Sequence, residues 1–228
     1  PLIRGRDVSR WYCKPSTSIV IGQNINAPAK ALSEEILKNK YSSTYLYFDH
    51  FKNLLESRKD FIKFFKPYNA PFYSLYNFGP YTMSEYKVLW RYIDSDFRAA
   101  VSEPSQMNSN KLALPDSKIV MVDLTSSNEA HYLCSVLNSS PSRFIVLSYT
   151  VSTQLSTHIL ENLNIPKYEP KNRIHKDLSD LSKLCHDKTL ASISVSDIEE
   201  QINELVAELW GLTSVELKDI NDSLKDLK

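Results

Sequence analysis

The stretch GPYTMSEYKVLWRYI, residues 79–93, alternates in character at nearly every step. Extended, it sends Tyr86, Val88, Trp90 and Tyr92 to one side and Lys87, Leu89 and Arg91 to the other. A face of three aromatics and a valine must be covered, so the reading is a strand with an aromatic core side. Its other face is basic and reads either as a surface near nucleic acid or as the solvated side of a half-buried strand. Gly79-Pro80 is the turn before it. Working outward, residues 72–76, 97–101 and 118–124 read as further strands, and the polar stretch 103–110 as a turn.

Helical patterns flank this region. Between residues 33 and 65, Tyr45, Phe48, Phe51, Leu54 and Leu55 recur at three- and four-residue steps and predict one shared face. Ser126-x-x-Glu129 has the form of a capping box ahead of Tyr132, Leu133, Val136 and Leu137. Ser140-Pro141 opens a second short helix. Residues 150–158 read as a loop, 159–165 as a strand and 177–186 as a helix. Ser196-x-x-Glu199 precedes a stripe of Ile198, Ile202, Leu205, Val206 and Leu209, with Gly211 as the stop. Thr213-x-x-Glu216 opens a last helix. The first 30 residues read as strand, turn, strand, with SIVIG (residues 18–22) as the second strand. The expected fold is α+β, a mainly antiparallel sheet with flanking helices and a C-terminal helical hairpin. The expected division is 1–190 and 191–228.

With 228 residues, 42% apolar and 24% charged, the chain has ordinary globular composition and room for one large domain or a domain with an appendage. The 27 basic and 27 acidic side chains cancel, which argues against bulk-charge coating of nucleic acid and against a polybasic membrane binder. The cancellation is regional. Residues 197–228 hold nine acids and three lysines, so the tail carries −6 and residues 1–196 carry +6. No apolar run approaches the ~20 residues of a membrane span, and no signal-peptide layout opens the chain. A start at Pro1 suggests a piece of a longer protein. Cys13, Cys134 and Cys185 are odd in number and far apart, which fits reduced thiols in a cytosolic protein.

Catalytic motifs are sparse. Four glycines leave little material for a phosphate-cradling loop, and neither the Walker nor the dinucleotide fingerprint is present. There is no Pro-Pro dipeptide for the Asn-Pro-Pro-aromatic loop of base-amino methylation. Pro115-Asp116 is followed by Asp123, but Thr125 stands where a metal-dependent nuclease needs lysine. No two of the five histidines have the i, i+4 spacing of a helical metal site. Cys185-His186 are sequence neighbours and point to different helix faces. The expectation is a non-catalytic chain.

Three segments suit DNA contact. IRGRDVSRWY (residues 3–12) places Arg4, Arg6 and Arg10 near Trp11 and Tyr12, and arginine can fork onto guanine edges or phosphates. The alternative is arginines facing solvent or pairing with Asp7. Lys87 and Arg91 occupy the basic strand face. SYTVSTQLSTHIL (residues 148–160) offers hydroxyls without acids, with Lys167, Lys171, Arg173, His175 and Lys176 soon after; a solvated loop is the plainer reading.

The ordered set LIRGRDV…W, YTMSEYKVLWR, EAHYLCSVLNSSP, NIPKYEPKNRIHKDLSDLSKLCH and IEEQINELVAELWGLT resembles the C-terminal region of adenine-N6 DNA methyltransferases with a TaqI-like specificity domain, as in Type IIG restriction–modification enzymes. The resemblance spans nearly the whole chain. It implies a target recognition domain that clamps double-stranded DNA while a methyltransferase domain of the same parent chain, using S-adenosylmethionine, flips and methylates the adenine. Arg4, Gly5, Arg6 and Asp7 match one family stretch, and Tyr86, Lys87, Val88, Leu89 and Trp90 another. It also implies helices beyond the recognition domain that act as spacers or docking elements. The expected DNA contacts are Arg4, Arg6, Lys14, Lys87, Arg91, Ser152, Thr153, Ser156, His158, Lys167 and Arg173. No cofactor, metal or membrane partner is expected for this chain. The alternative function is a protein-docking module acting through the C-terminal helices.

Overall fold

The structure, a computed structural model, describes residues 1–104, 111–149 and 154–226, without the side chains of Tyr149 and Asp226. The class is α+β, as expected. In chain order the elements begin with β1 (Leu2–Ile3), β2 (Val8–Ser9), β3 (Tyr12–Cys13), β4 (Gln23–Asn24) and β5 (Ala27–Ala31). Four short helices follow: α1 (Glu34–Lys40), α2 (Ser42–His50), α3 (Lys52–Glu56) and α4 (Lys59–Phe64). Then come β6 (Tyr86–Arg91), β7 (Ala99–Ser102), β8 (Leu114–Pro115) and β9 (Ile119–Leu124). The chain ends in α5 (Ser127–Asn138), α6 (Ser140–Tyr149), α7 (Arg173–Leu190), α8 (Ser196–Trp210) and α9 (Ser214–Asp226). Two compact units result, Pro1–Thr17 with Ser84–Lys228, and Ser18–Met83.

The first unit is built on an antiparallel sheet in the order β7-β6-β9. The alternation read from residues 86–91 is what the sheet uses. Val88 and Trp90, with Val120 and Val122 of β9, face a core shared with α5, α7 and α8. Leu89, Ile119 and Met121 face the opposite way, onto Ile3, Val8 and Cys13 of the N-terminal segment. The sheet is therefore buried on both faces, and the side expected to be open and basic is covered.

Edge strand β7 would present unpaired backbone groups. Side chains occupy them. Asn138 accepts from Ala99 N and donates to Ala99 O, both at 2.8 Å. His186 Nε2 accepts from Val101 N at 3.0 Å while Nδ1 reaches Ser182 O at 2.8 Å. Accepting at Nε2 and donating at Nδ1 requires the neutral ring. Burial, reinforced by His131, lowers its pKa to about 3.

The two-residue turn between β2 and β3 is Arg10-Trp11, with Trp11 at φ 59°. A bulky residue in the left-handed region costs about 1–3 kcal/mol. It is held there by burial of the indole against His186 and by Nε1 donating to Glu199 Oε1 at 2.7 Å.

The stripe Ile198, Ile202, Leu205, Val206 and Leu209 of α8 packs into the main core. The expected boundary at 190/191 thus runs through the interior of the first unit. Gly211 at φ 69° ends α8, with Leu212 N bonded to Ala207 O, and Thr213 and Glu216 form the reciprocal cap of α9. At Ser196 no side-chain cap forms; Val195 is the N-cap and Ser196 already lies in the helix.

The second unit pairs β4 with β5 and packs α1–α4 around Leu37, Phe48, Phe61, Phe72 and Tyr73. The expected single helix is broken at Tyr41, Phe51 and Arg58. Its stripe is broken with it, since Phe48 is buried and Leu54 is 67% exposed. Residues 18–22 and 72–76 form no strand. Residues 159–165 likewise hold no strand; Thr157–Asn162 is a 3-10 helix. Gly22 is required because a Cβ there would lie 2.5 Å from the Tyr73 ring.

Candidate nucleic-acid interface

The N-terminal segment supplies a set of exposed cations. Gly5–Asp7 forms a short 3-10 turn, and the Asp7 carboxylate turns inward to accept from Arg4 N at 2.9 Å. Asp7 is buried and so is not the arginines' ion partner. Arg4, Arg6 and Lys14 are exposed and make no ion pair among the described residues. Lys14 is positioned by its backbone N–H on Asp7 O.

Backbone pairing brings further groups to this segment. Arg91 Nε donates to Val8 O at 2.8 Å and lies 3.7 Å from Asp94, so this side chain braces the hairpin while part of it remains exposed. β1 pairs in parallel with β8, and Asp116 N bonds Ile3 O, which carries the chain on to exposed Lys118. Lys118 O in turn accepts from Tyr92 N. Tyr92 O accepts from Leu155 N, placing the second half of the hydroxyl-rich segment beside the end of β6. Ser156 is half-buried there, and exposed His158 lies 3.0 Å from Glu161. Lys118 was missed in the sequence because it is remote from the other cations along the chain. Only the β1–β8 pairing reveals it.

One expected contact needs correction. Lys87 is 1% exposed because it shares the β6 face of Leu89, which the N-terminal segment covers; Nζ donates to Ser84 O. Burial lowers its pKa to about 8 against the opposing pull of Asp123, its cross-strand partner. It cannot reach phosphate from there. Arg173 is exposed and pairs at the surface with Asp177 at 3.0 Å and Glu208 at 3.2 Å. Exposed Lys167 follows Pro166, whose carbonyl accepts from Tyr132 of α5. Neither residue is brought to the N-terminal group by any described contact. Ser152 and Thr153 lie outside the described residues. Arg10 is also turned inward, onto Glu199 at 3.2 Å, and its pKa is lowered by burial and by nearby Arg143.

A different surface lies between α7 and α8. A groove of about 460 Å³ has Leu181 and Leu205 among its lining, with Asp177, Asp180, Glu204 and Glu208 around them. Among the described residues no group of three or more His, Cys, Asp or Glu is placed to hold a metal, and no helix is long and apolar enough to cross a membrane. Neither a protein-family model nor a curated protein matches the chain.

Proposed function

We propose that the chain recognises a specific sequence in double-stranded DNA as the specificity domain of an adenine-N6 restriction–modification methyltransferase, without catalytic activity of its own. The observation that carries the reading is the set of exposed cations Arg4, Arg6 and Lys14 on the segment around one turn, with the Asp7 carboxylate turned inward and exposed Lys118 on the segment that follows β8, the strand paired with β1. Such side chains hold phosphates and, for arginine, read guanine edges. The acidic α8 and α9 stand away from the duplex by charge repulsion. The methyltransferase domain of the parent chain would bind S-adenosylmethionine and act in the cytoplasm.

Anisotropy titration of labelled duplexes at salt concentrations from about 50 to 200 mM tests this. Binding should weaken steeply with salt. The double variant Arg4→Ala, Arg6→Ala should reduce the log–log salt slope by about 2. Salt-independent binding, or none, overturns the reading. Cleavage of DNA on adding divalent metal overturns its non-catalytic part.

A second reading is docking through the α7–α8 groove, favoured by Leu181 and Leu205 lining it together with Asp180 and Glu204. Its fitting occupant is a basic amphipathic helix. Asp180→Lys with Glu204→Lys should abolish binding of such a peptide; unchanged binding rejects the groove.

A further inference from the structure

Residues 61–83 contain nine aromatic side chains, two lysines and no acid. Phe61, Phe72 and Tyr73 build the core of the second unit. Other rings remain at its surface. Phe64 and Tyr76 stack with centroids 4.3 Å apart and planes within 9° of parallel. Lys63 Nζ lies over the Phe64 ring at 4.9 Å. Tyr76 is 47% exposed although one of its faces lies on Phe64, so a parallel stack ends on a ring open to solvent. Tyr81 and Tyr68 are 41% and 81% exposed.

The loops bearing these rings are fixed. Asn69 at φ 52° follows Tyr68, and Asn77 at φ 55° follows Tyr76. The Tyr81 hydroxyl donates to Asn77 O at 2.7 Å, and its ring lies so close to Gly79 that a Cβ there would be 2.7 Å away. Arg58 ties the segment down through Leu55 O, Phe72 O and Ser74 O. Packing does not require an exposed ring to be held this firmly, whereas a planar ligand continuing the stack does.

We propose that Tyr76, backed by Phe64, forms with the exposed rings Tyr68 and Tyr81 of the same segment a stacking platform for unpaired bases of DNA, with Lys63 and exposed Lys66 attracting the phosphodiester chain. Every base has a π-face, so such a platform is tolerant of sequence, and the absence of acids across the segment favours a polyanion over an acidic or neutral protein surface. The proposal deepens the DNA-binding reading above and rests on it for the identity of the polymer.

The test compares three labelled DNAs on the full chain: a blunt duplex, the same duplex with a single-stranded overhang, and one whose overhang is abasic. The overhang should tighten binding by about tenfold. The abasic overhang should lose that gain. Tyr76→Leu, which keeps apolar contact with Phe64, and Tyr68→Ala, at a site too exposed to affect folding, should each reduce the gain while blunt-duplex affinity stays the same. A gain that survives either the abasic overhang or both substitutions overturns the platform. If Tyr76→Leu does not fold by circular dichroism, Tyr68→Ala decides. Overhang binding without blunt-duplex binding retains the platform and removes the duplex reading. Blunt-duplex binding with no overhang gain does the reverse.

Discussion

The two units differ in degree in how they treat awkward side chains, although the first also exposes Val215 and Leu190 and the second also buries Gln23. In Pro1–Thr17 with Ser84–Lys228, polar groups are taken inside and matched: Asn138 and His186 occupy the edge of β7, and Glu199 holds the Trp11 indole. In Ser18–Met83, apolar groups are left outside: Ile25, Leu46, Leu54 and Tyr68 are 66% to 81% exposed. A buried polar group needs its partner at a fixed place, so the first unit is specified by directional bonds. An exposed apolar ring costs little in an isolated chain and stabilises a complex when covered, so the second unit keeps surface in reserve for contact.

The largest break in this comparison should come at Trp11. Trp11→Ala removes a buried indole and its bond to Glu199, and should lower unfolding free energy by about 3–5 kcal/mol in urea titration. A loss below about 1 kcal/mol would mean that relief at φ 59° offsets most of the packing, and that the turn is more strained than anchored.

His186 gives the next effect. Its folded pKa lies near 3, below the ordinary histidine value, so the unfolded chain binds the extra proton first. Its contribution is full above about pH 6.5 and should fall by about 1.4 kcal/mol per pH unit as pH drops towards 3. Protonation also removes the acceptor for Val101 N. Stability measured across that window should show the slope in the native chain and lose it in His186→Gln; equal slopes would place acid sensitivity elsewhere.

Lys87 should respond in the same sense, in a higher pH window. Its lowered pKa disfavours the charged form in the fold, a penalty that is full below about pH 8 and relieved as pH rises towards ~10.4. Lys87→Met should therefore stabilise the protein by about 1–3 kcal/mol at pH 7. Blunt-duplex affinity should not change. Weaker DNA binding by this variant would return Lys87 to the interface.

The smallest effect belongs to the second unit. Tyr68→Ser should change the unfolding free energy from urea titration by less than about 0.5 kcal/mol. A larger shift would show that the exposed ring supports the fold, which would remove the contrast between the two units.

Local patterns carried much of the fold. The alternation of residues 86–91 located β6 and sorted its faces correctly. The pairing of Thr213 with Glu216 and the stop at Gly211 were legible because caps act over three or four residues. The long helix across 33–65 failed because helical spacing is blind to where the chain turns, and the aromatics that set its period are divided between a small core and solvent. Trp11 at positive φ left no local signal, since its conformation is imposed by the core it enters.

For the site, the amino-acid sequence by itself determined that the cations concentrate before the acidic tail and that Arg4 and Arg6 lie close together ahead of Trp11. Tertiary structure decided which of the cations reach water. Lys87 and Arg91 share a strand face, yet one is sealed beneath the N-terminal segment and the other braces it. Lys118 joins Arg4 only because β1 pairs with β8. Charge is a property of each residue, whereas burial and proximity follow from which distant segments cover the same face of the sheet.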